Sequence, residues 1–231
     1  MATTVTGVWA VLVAAGRGER LGIDRPKAFA KLAGRPLLAE PLERLESSEW
    51  IEALVVVAPV GWEEPAILLA EELGAAKVSA CVTGGERRPD SVRAGIEEVP
   101  HEAGVVLVHD AARPLVPHEV IDRVMAPLGD GWDGAVPALP VADTLKRARE
   151  DGAVTETVAR DGLYGVQTPQ AFVASTLRDA LATSAGDGTD CAGFVEAAGG
   201  RVRLVDGDPQ LVKVTSAADL DFVERLLAAG R

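Results

Sequence analysis

Between residues 8 and 27 the chain reads VWAVLVAAGRGERLGIDRPK, with Gly16, Gly18 and Gly22 interleaved with Arg17, Arg20, Arg25 and Lys27. Glycine lets a backbone come close to an oxyanion and tolerates positive φ. Arginine and lysine neutralise phosphate oxygens and donate hydrogen bonds to them. The chemistry these residue types suggest is a cradle for a polyphosphate. Two common phosphate loops are excluded. A dinucleotide fingerprint, GxGxxG, needs glycine where Leu21 stands, and a Walker A loop has no match at Gly16 or Gly18. A second glycine-and-cation stretch runs Thr83-Gly84-Gly85-Glu86-Arg87-Arg88, and a third segment reads Asp110-Ala111-Ala112-Arg113-Pro114.

The elements around these loops explain how they could meet. Apolar runs at 8–15, 51–58, 77–82, 104–109 and about 134–139 read as buried strands. Between them lie helical stretches: one from Pro36 to about Ser47, one over 62–73, one over about 90–98 with Asp90 or Ser91 near its cap, and one after Pro117. Strands alternating with helices predict an α/β fold with a doubly wound, mostly parallel sheet and right-handed crossovers. Ligands in such sheets bind beyond the carboxyl ends of the strands. The strands ending at Ala15, Val82 and His109 each run into one of the three loops. Alternation along the third strand points His109 away from Asp110, so it reads as a structural histidine.

Residues 141–168 break the pattern. Val141–Arg149 and Val154–Val158 look extended, with Asp151-Gly152 as a hairpin turn. An isolated hairpin is marginal in water, so residues 141–163 are expected to form a protruding arm that packs on a second subunit. The rest of the chain returns to the same domain, taken as a single unit over residues 1–231. An extended stretch crosses Thr168-Pro169-Gln170, and a helix covers about 173–183. A polar loop at 186–190 opens another helix, and short strands are expected at 201–206 and 211–214. A last helix is capped by Ser216, with Asp219 at its third position.

Composition narrows the function classes. The 231 residues are 48% hydrophobic and only 4% aromatic, enough for an aliphatic core. A net charge of −12 argues against sequence-independent nucleic-acid binding and against anionic membranes, while leaving room for a local cationic pocket. Cys81 and Cys191 read as reduced thiols, and no zinc-type cluster is present. No run is long enough to span a bilayer and no signal segment precedes the first strand, which predicts a cytoplasmic protein.

AAGRGERLG…RPK, GGERRPDSV, VLVHDAARP, TVARDG, QTPQ and KVT occur in this order. Together they resemble the 2-C-methyl-D-erythritol 4-phosphate cytidylyltransferase family over essentially the whole chain. The resemblance implies a Rossmann-like nucleotidyltransferase domain and a homodimer with an interlocking arm. The implied reaction is CTP plus methylerythritol phosphate giving the CDP-alcohol and pyrophosphate, with Mg²⁺ (other divalent cations could serve). By the same resemblance Arg20 and Lys27 bracket the triphosphate. Lys213 and Arg160 grip the phosphate of the attacking alcohol, Arg160 from the neighbouring subunit. Ala14, Ala15, Gly16 and Gly18 surround the nucleotide. Gly85, Glu86 and Ser91 read the cytosine edge, and Asp110 contacts the metal ion. Ala111 lines the ribose, and Arg113, Thr144, Thr168 and Thr189 line the second substrate.

Two positions depart from the pattern. Cys191 replaces the second of two acidic residues after Thr189, and Ala28 stands where many relatives carry glutamine. Other readings stay open at this point. An enzyme of the same fold could use ribitol 5-phosphate or another alcohol phosphate as acceptor, and a non-catalytic module could only bind the nucleotide. A nicotinamide oxidoreductase is disfavoured by Leu21.

Overall fold

A computed structural model describes residues 7–183 and 190–230. In chain order the elements are β1 (Val8–Val13), β2 (Lys31–Leu32), β3 (Arg35–Pro36), α1 (Ala39–Glu46), β4 (Ala53–Ala58), α2 (Glu63–Glu72), β5 (Val78–Thr83), α3 (Arg88–Glu97), β6 (Val105–Asp110) and α4 (His118–Gly129). They continue with β7 (Gly134–Pro140), β8 (Leu145–Ala148), β9 (Val154–Val158), β10 (Tyr164–Val166), β11 (Gln170–Val173), α5 (Ala174–Thr183), α6 (Cys191–Ala197), β12 (Val202–Asp206) and α7 (Ala217–Ala229).

The fold is α/β, built on an eight-stranded sheet of order β10-β7-β11-β6-β1-β4-β5, with β12 alongside β7. β6, β1, β4 and β5 run parallel, and β12 is parallel to β7, while β10 and β11 are antiparallel to their neighbours. β1, β4 and β5 step in one direction and β6 returns to the other side of β1. That reversal is the topological switch point where such sheets bind ligands.

Both faces of the central strands are apolar, as parallel strands covered on both sides require. Ala10, Leu12, Leu54, Val56 and Leu107 face α1, α2 and α4. Val11, Val55, Val57, Val106 and Val108 alternate with them and face α3, α5 and α6. Each of these Leu and Val side chains contributes about 1.5–3 kcal/mol by leaving water. A third, smaller cluster joins Leu21, Leu32, Leu37, Leu115 and Val214 to Val223 and Leu227 of α7.

The expected elements form, with shifted ends. α1 starts at Ala39 rather than Pro36, because Arg35 and Pro36 pair with Lys31 and Leu32 as a short hairpin. α3 starts at Arg88 with Arg87 as its cap. Asp90 instead binds Arg87 and Arg93 by its side chain, and Ser91 turns into the neighbouring loop. Residues 211–214 form no strand; a single backbone bond from Val214 N–H to Ala112 O, 2.8 Å, docks them. The cap of α7 is as expected: Ser216 and Asp219 make a reciprocal capping box. β8 and β9 pair antiparallel as a separate two-stranded sheet, and most of its residues are exposed. Among the described residues no helix is long and apolar enough to cross a membrane.

Candidate active site

The carboxyl ends of β1, β5 and β6 converge at one edge of the sheet, since Val13 pairs with both Val57 and Asp110 while Ala58 pairs with Thr83. A cavity of about 190 Å³ lies there. Its walls are Ala14, Ala15 and Gly16 from the first loop, Gly85, Glu86 and Ser91 from the second, and Asp110 and Ala111 from the third. Lys27, Arg88 and Lys213 complete it. A larger open cleft of about 700 Å³ adjoins it, lined by Arg17, Gly18, Arg20, Lys27, Glu86, Arg87 and Thr215. In a chain of net charge −12 this concentration of cations focuses a positive field on one edge.

Asp110, the last residue of β6, is the centre of the ionic geometry. Arg88 donates from Nε to one carboxylate oxygen at 2.9 Å, and Lys213 donates from Nζ to the other at 2.7 Å. Burial alone would raise this carboxyl, but Arg88 and Lys213 outweigh it and hold it well below the usual carboxylate range. Burial likewise works against the charge on Arg88, and Asp110 again prevails and raises it. Lys27 is half-buried; desolvation first, then nearby Lys213 and Arg20, lower its pKa. Such a lysine gains most from an arriving anion, because the anion relieves both penalties.

Gly18 explains how Lys27 is held. Its φ is +72°, and a Cβ there would fall 2.6 Å from Lys27 Cβ. Only glycine fits that conformation and that approach at once.

His109 does point away from the site. It is fully buried, and the Asp110 N–H donates to Thr168 Oγ1 at 3.1 Å. The Thr168 hydroxyl then donates to His109 Nδ1 at 3.0 Å, which leaves Nε2–H to donate to Arg113 O at 3.0 Å. Burial lowers this imidazole to about 4, so it is neutral and both ring nitrogens are engaged. Thr168 therefore braces the Asp110 backbone.

These loops and their spacing match known proteins. Residues 8–229 fit the sequence profile of IspD, 2-C-methyl-D-erythritol 4-phosphate cytidylyltransferase. The chain is 44% identical over 223 residues to the protein of that name from Frankia casuarinae, covering 96% of this chain and 81% of that one. It is 44% identical over 220 residues to the one from Nocardia farcinica, covering 95% and 94%. The crystal structure of 2-C-methyl-D-erythritol 4-phosphate cytidylyltransferase from Thermus thermophilus superposes with a TM-score of 0.77 at 33% identity, over 94% of this chain and 98% of that one.

The chain belongs to the 2-C-methyl-D-erythritol 4-phosphate cytidylyltransferase family.

Against the family's pattern, the structure brings Arg20, Lys27 and Lys213 together with the three loops. A second hollow of about 400 Å³ shares Asp110, Arg88 and Lys213 with the first and extends past Arg113, Thr168 and Asp190. Arg113 lines it with its guanidinium tied to the carbonyls of Leu211 and Val166, so it also fastens the segment carrying Lys213. Arg160 and Thr144 line none of the three hollows. Arg160 is exposed at the base of the hairpin and donates to the carbonyl of Ala142. Thr189 lies outside the described residues.

Two residues at the site escape a reading of the sequence. Arg88 stands within the second loop's motif with no role of its own there, although its position just before Pro89 places it in the first turn of α3, facing β6. Thr215 lines the cleft with its hydroxyl held by Asp219 at 2.7 Å. The KVT motif is the available signal for it. Cys191, where the family usually has an acid, is buried and receives a weak bond from Arg88 at 3.7 Å. Burial pushes its thiol up to about 11, so it brings no charge.

No group of three acidic, histidine or cysteine side chains capable of holding a metal occurs among the described residues. Asp110 offers one carboxylate whose oxygens keep a lone pair each beside their cationic partners. That donor set fits Mg²⁺ as an ion that retains water and phosphate oxygens as its main ligands.

Proposed function

We propose that the chain transfers CMP from CTP to 2-C-methyl-D-erythritol 4-phosphate, giving the CDP-alcohol and pyrophosphate. The observation that carries this reading is the convergence of Arg20, Lys27 and Lys213 beside a glycine-lined cavity at the sheet's switch point. Family membership supports the same donor and acceptor.

The reaction asks a phosphomonoester oxygen to attack the α-phosphate of a triphosphate. The monoester's second pKa is about 6, so it is largely dianionic at neutral pH and needs no general base. The site agrees: His109 has both nitrogens engaged, Cys191 is neutral, and Asp110 is too weak a base to take a proton. The obstacle is repulsion between two polyanions. Arg20 and Lys27 act on it by neutralising the triphosphate as charge builds in the transition state, and Lys213 by orienting the attacking phosphate. A Mg²⁺ ion carried by the triphosphate and contacted by Asp110 would add to that neutralisation.

The arm is read as a dimerisation element. Arg160 and Thr144 are absent from their own chain's hollows, and Leu163, Tyr164 and Val166 beside them are exposed. A two-fold partner would cover these apolar side chains and bring its Arg160 to the acceptor phosphate.

The test is pyrophosphate release from CTP and Mg²⁺ with methylerythritol phosphate or ribitol 5-phosphate as acceptor. Faster turnover with methylerythritol phosphate is expected. Faster turnover with ribitol phosphate would reassign the acceptor, and CTP binding with no release would leave a binding module.

A further inference from the structure

The helix that carries Ser91 to the cavity packs on the sheet through a residue that does not line the cavity. α3 packs on β1 and β4, and it comes close to them at Gly95, which is buried. A Cβ there would sit 2.4 Å from Val11 Cγ1 and 2.8 Å from Val57 Cγ2. Neither methyl can swing aside, because valine is stiff at χ1 and both side chains are fully buried in the sheet. To reach even a 3.4 Å contact, the helix would have to retreat by about 1 Å.

Ser91 lies one turn before Gly95, on the same face of the helix. It forms the cavity's outer wall: its Oγ accepts the Gly85 N–H at 3.1 Å. The loop it holds is as tightly fitted as the helix. A Cβ on Gly84 would fall 2.2 Å from Ala15 Cβ, 2.9 Å from Ser91 Oγ and 3.2 Å from Val57 Cγ1. Val57 is thus shared. One of its methyls supports the loop at Gly84 and the other sets the helix at Gly95. Ser91 and the Gly84–Gly85 loop, packed on Ala15, form one side of the cavity, and how far that side stands from Asp110 and Ala111 follows from how deeply α3 sits on Val57 and Val11.

We propose that Gly95 is a specificity-determining positioning residue, which holds α3 at the depth that admits a single-ring base and excludes a purine. The inference rests on the cytidylyltransferase reading for the identity of the base. Phosphate transfer is served by Arg20, Lys27 and Lys213, which are carried by other segments. A change at Gly95 therefore acts first on nucleotide selection and reaches the chemical step only through Arg88, the α3 residue paired with Asp110.

The experiment compares CTP with ATP, both as substrates with methylerythritol phosphate and as ligands by titration calorimetry. In Gly95→Ala the CTP-over-ATP ratio of kcat/KM is expected to fall about tenfold or more, the scale of a one-methyl change in a fitted pocket. The loss should lie in KM for CTP, with kcat changed less than about threefold. Adding Val11→Ala removes the nearer of the two opposing methyls and leaves Val57 Cγ2 at 2.8 Å, so the ratio and KM should return part of the way to wild type. A folded Gly95→Ala with wild-type KM and base preference overturns the proposal, as does a double variant no closer to wild type than the single. If Gly95→Ala alone does not fold, the double variant decides by itself, a lowered ratio carried by KM for CTP supporting the proposal and a wild-type ratio overturning it. A wild type that binds CTP but transfers nothing removes the functional reading, and the binding ratios then decide this one. A wild type with no preference for CTP over ATP overturns it.

Discussion

Arg88 and Arg147 each hold a carboxylate oxygen at 2.9 Å, Arg88 on Asp110 in the central sheet and Arg147 on Glu156 in the hairpin arm. The side chains are 23% and 10% exposed in the first pair and 67% and 54% in the second. Equal geometry therefore has unequal consequences. A charge taken out of water must be compensated inside the fold, whereas an exposed pair competes with solvent and with its own side-chain entropy. The sheet edge is an electrostatic unit completed within one chain. The arm holds itself together weakly and leaves Arg160 without a hollow of its own chain to act in.

The largest effect should come from breaking the buried pair. Arg88→Met strands part of the Asp110 charge and is expected to cost about 3 kcal/mol in a urea-unfolding titration, the low end for such a loss because Lys213 remains. A cost below about 1 kcal/mol would place the two pairs on the same footing and end the comparison.

A second change of similar size is read by pH. His109 is held near 4, below its ordinary 6.5, so the unfolded chain takes up a proton first as pH falls. Wild-type stability should drop by about 3 kcal/mol between about pH 6.5 and 4, and His109→Gln should flatten that slope. The depressed Asp110 acts in a lower window. Its contribution is present above about pH 4 and is lost as pH falls further. An unchanged slope in His109→Gln would mean that the histidine titrates freely.

For activity, Lys27→Ala should lower kcat by roughly 10²-fold or more, the scale for removing one preorganised charge contact. Near-normal kcat would take Lys27 out of the transition state. Arg160→Ala should cost about tenfold in kcat/KM for the acceptor, about 1.4 kcal/mol, with CTP affinity intact. Mixing the two defective subunits sharpens the contrast. In a mixed dimer one site carries both lesions and the other none, so roughly a quarter of wild-type activity should return. No recovery on mixing would mean that Arg160 serves its own chain. The smallest effect is expected in the arm's own pair: Arg147→Ala should change stability by less than about 1 kcal/mol, and that should shrink in high salt.

Where the sequence was legible, one residue type sufficed to mark the feature. Continuous apolar runs, buried on both faces, marked the strands from Val8, Ala53 and Val105, and the capping box marked the helix after Ser216. Gly16, Gly18, Arg20 and Lys27 suggest a phosphate loop by composition, and they line the two adjoining hollows at the sheet edge. What stayed hidden depended on partners distant in sequence. The segment 211–214 reads as a short strand after the turn at Gly207-Asp208-Pro209, yet its backbone bonds to Ala112, Asp208 and the Arg113 side chain and joins no ladder. Arg88 reads as one of two adjacent surface arginines until β6 places Asp110 beside it. Gly95 is an ordinary helix glycine until Val11 and Val57 are seen to fill the space a Cβ would need.

The small cluster that joins Leu21 and Leu115 to Val214, Val223 and Leu227 bears on how the protein is made. It links the segment bearing Arg20 to the segment bearing Lys213, and its last member follows its first by about 200 residues. Closing contacts of such separation is slow and waits until α7 has been made. Sheet strands from the first half can pair earlier, but the cationic edge acquires its final geometry only when α7 docks. Until α7 has been made, the segments bearing Arg20 and Lys213 are not yet joined through this cluster.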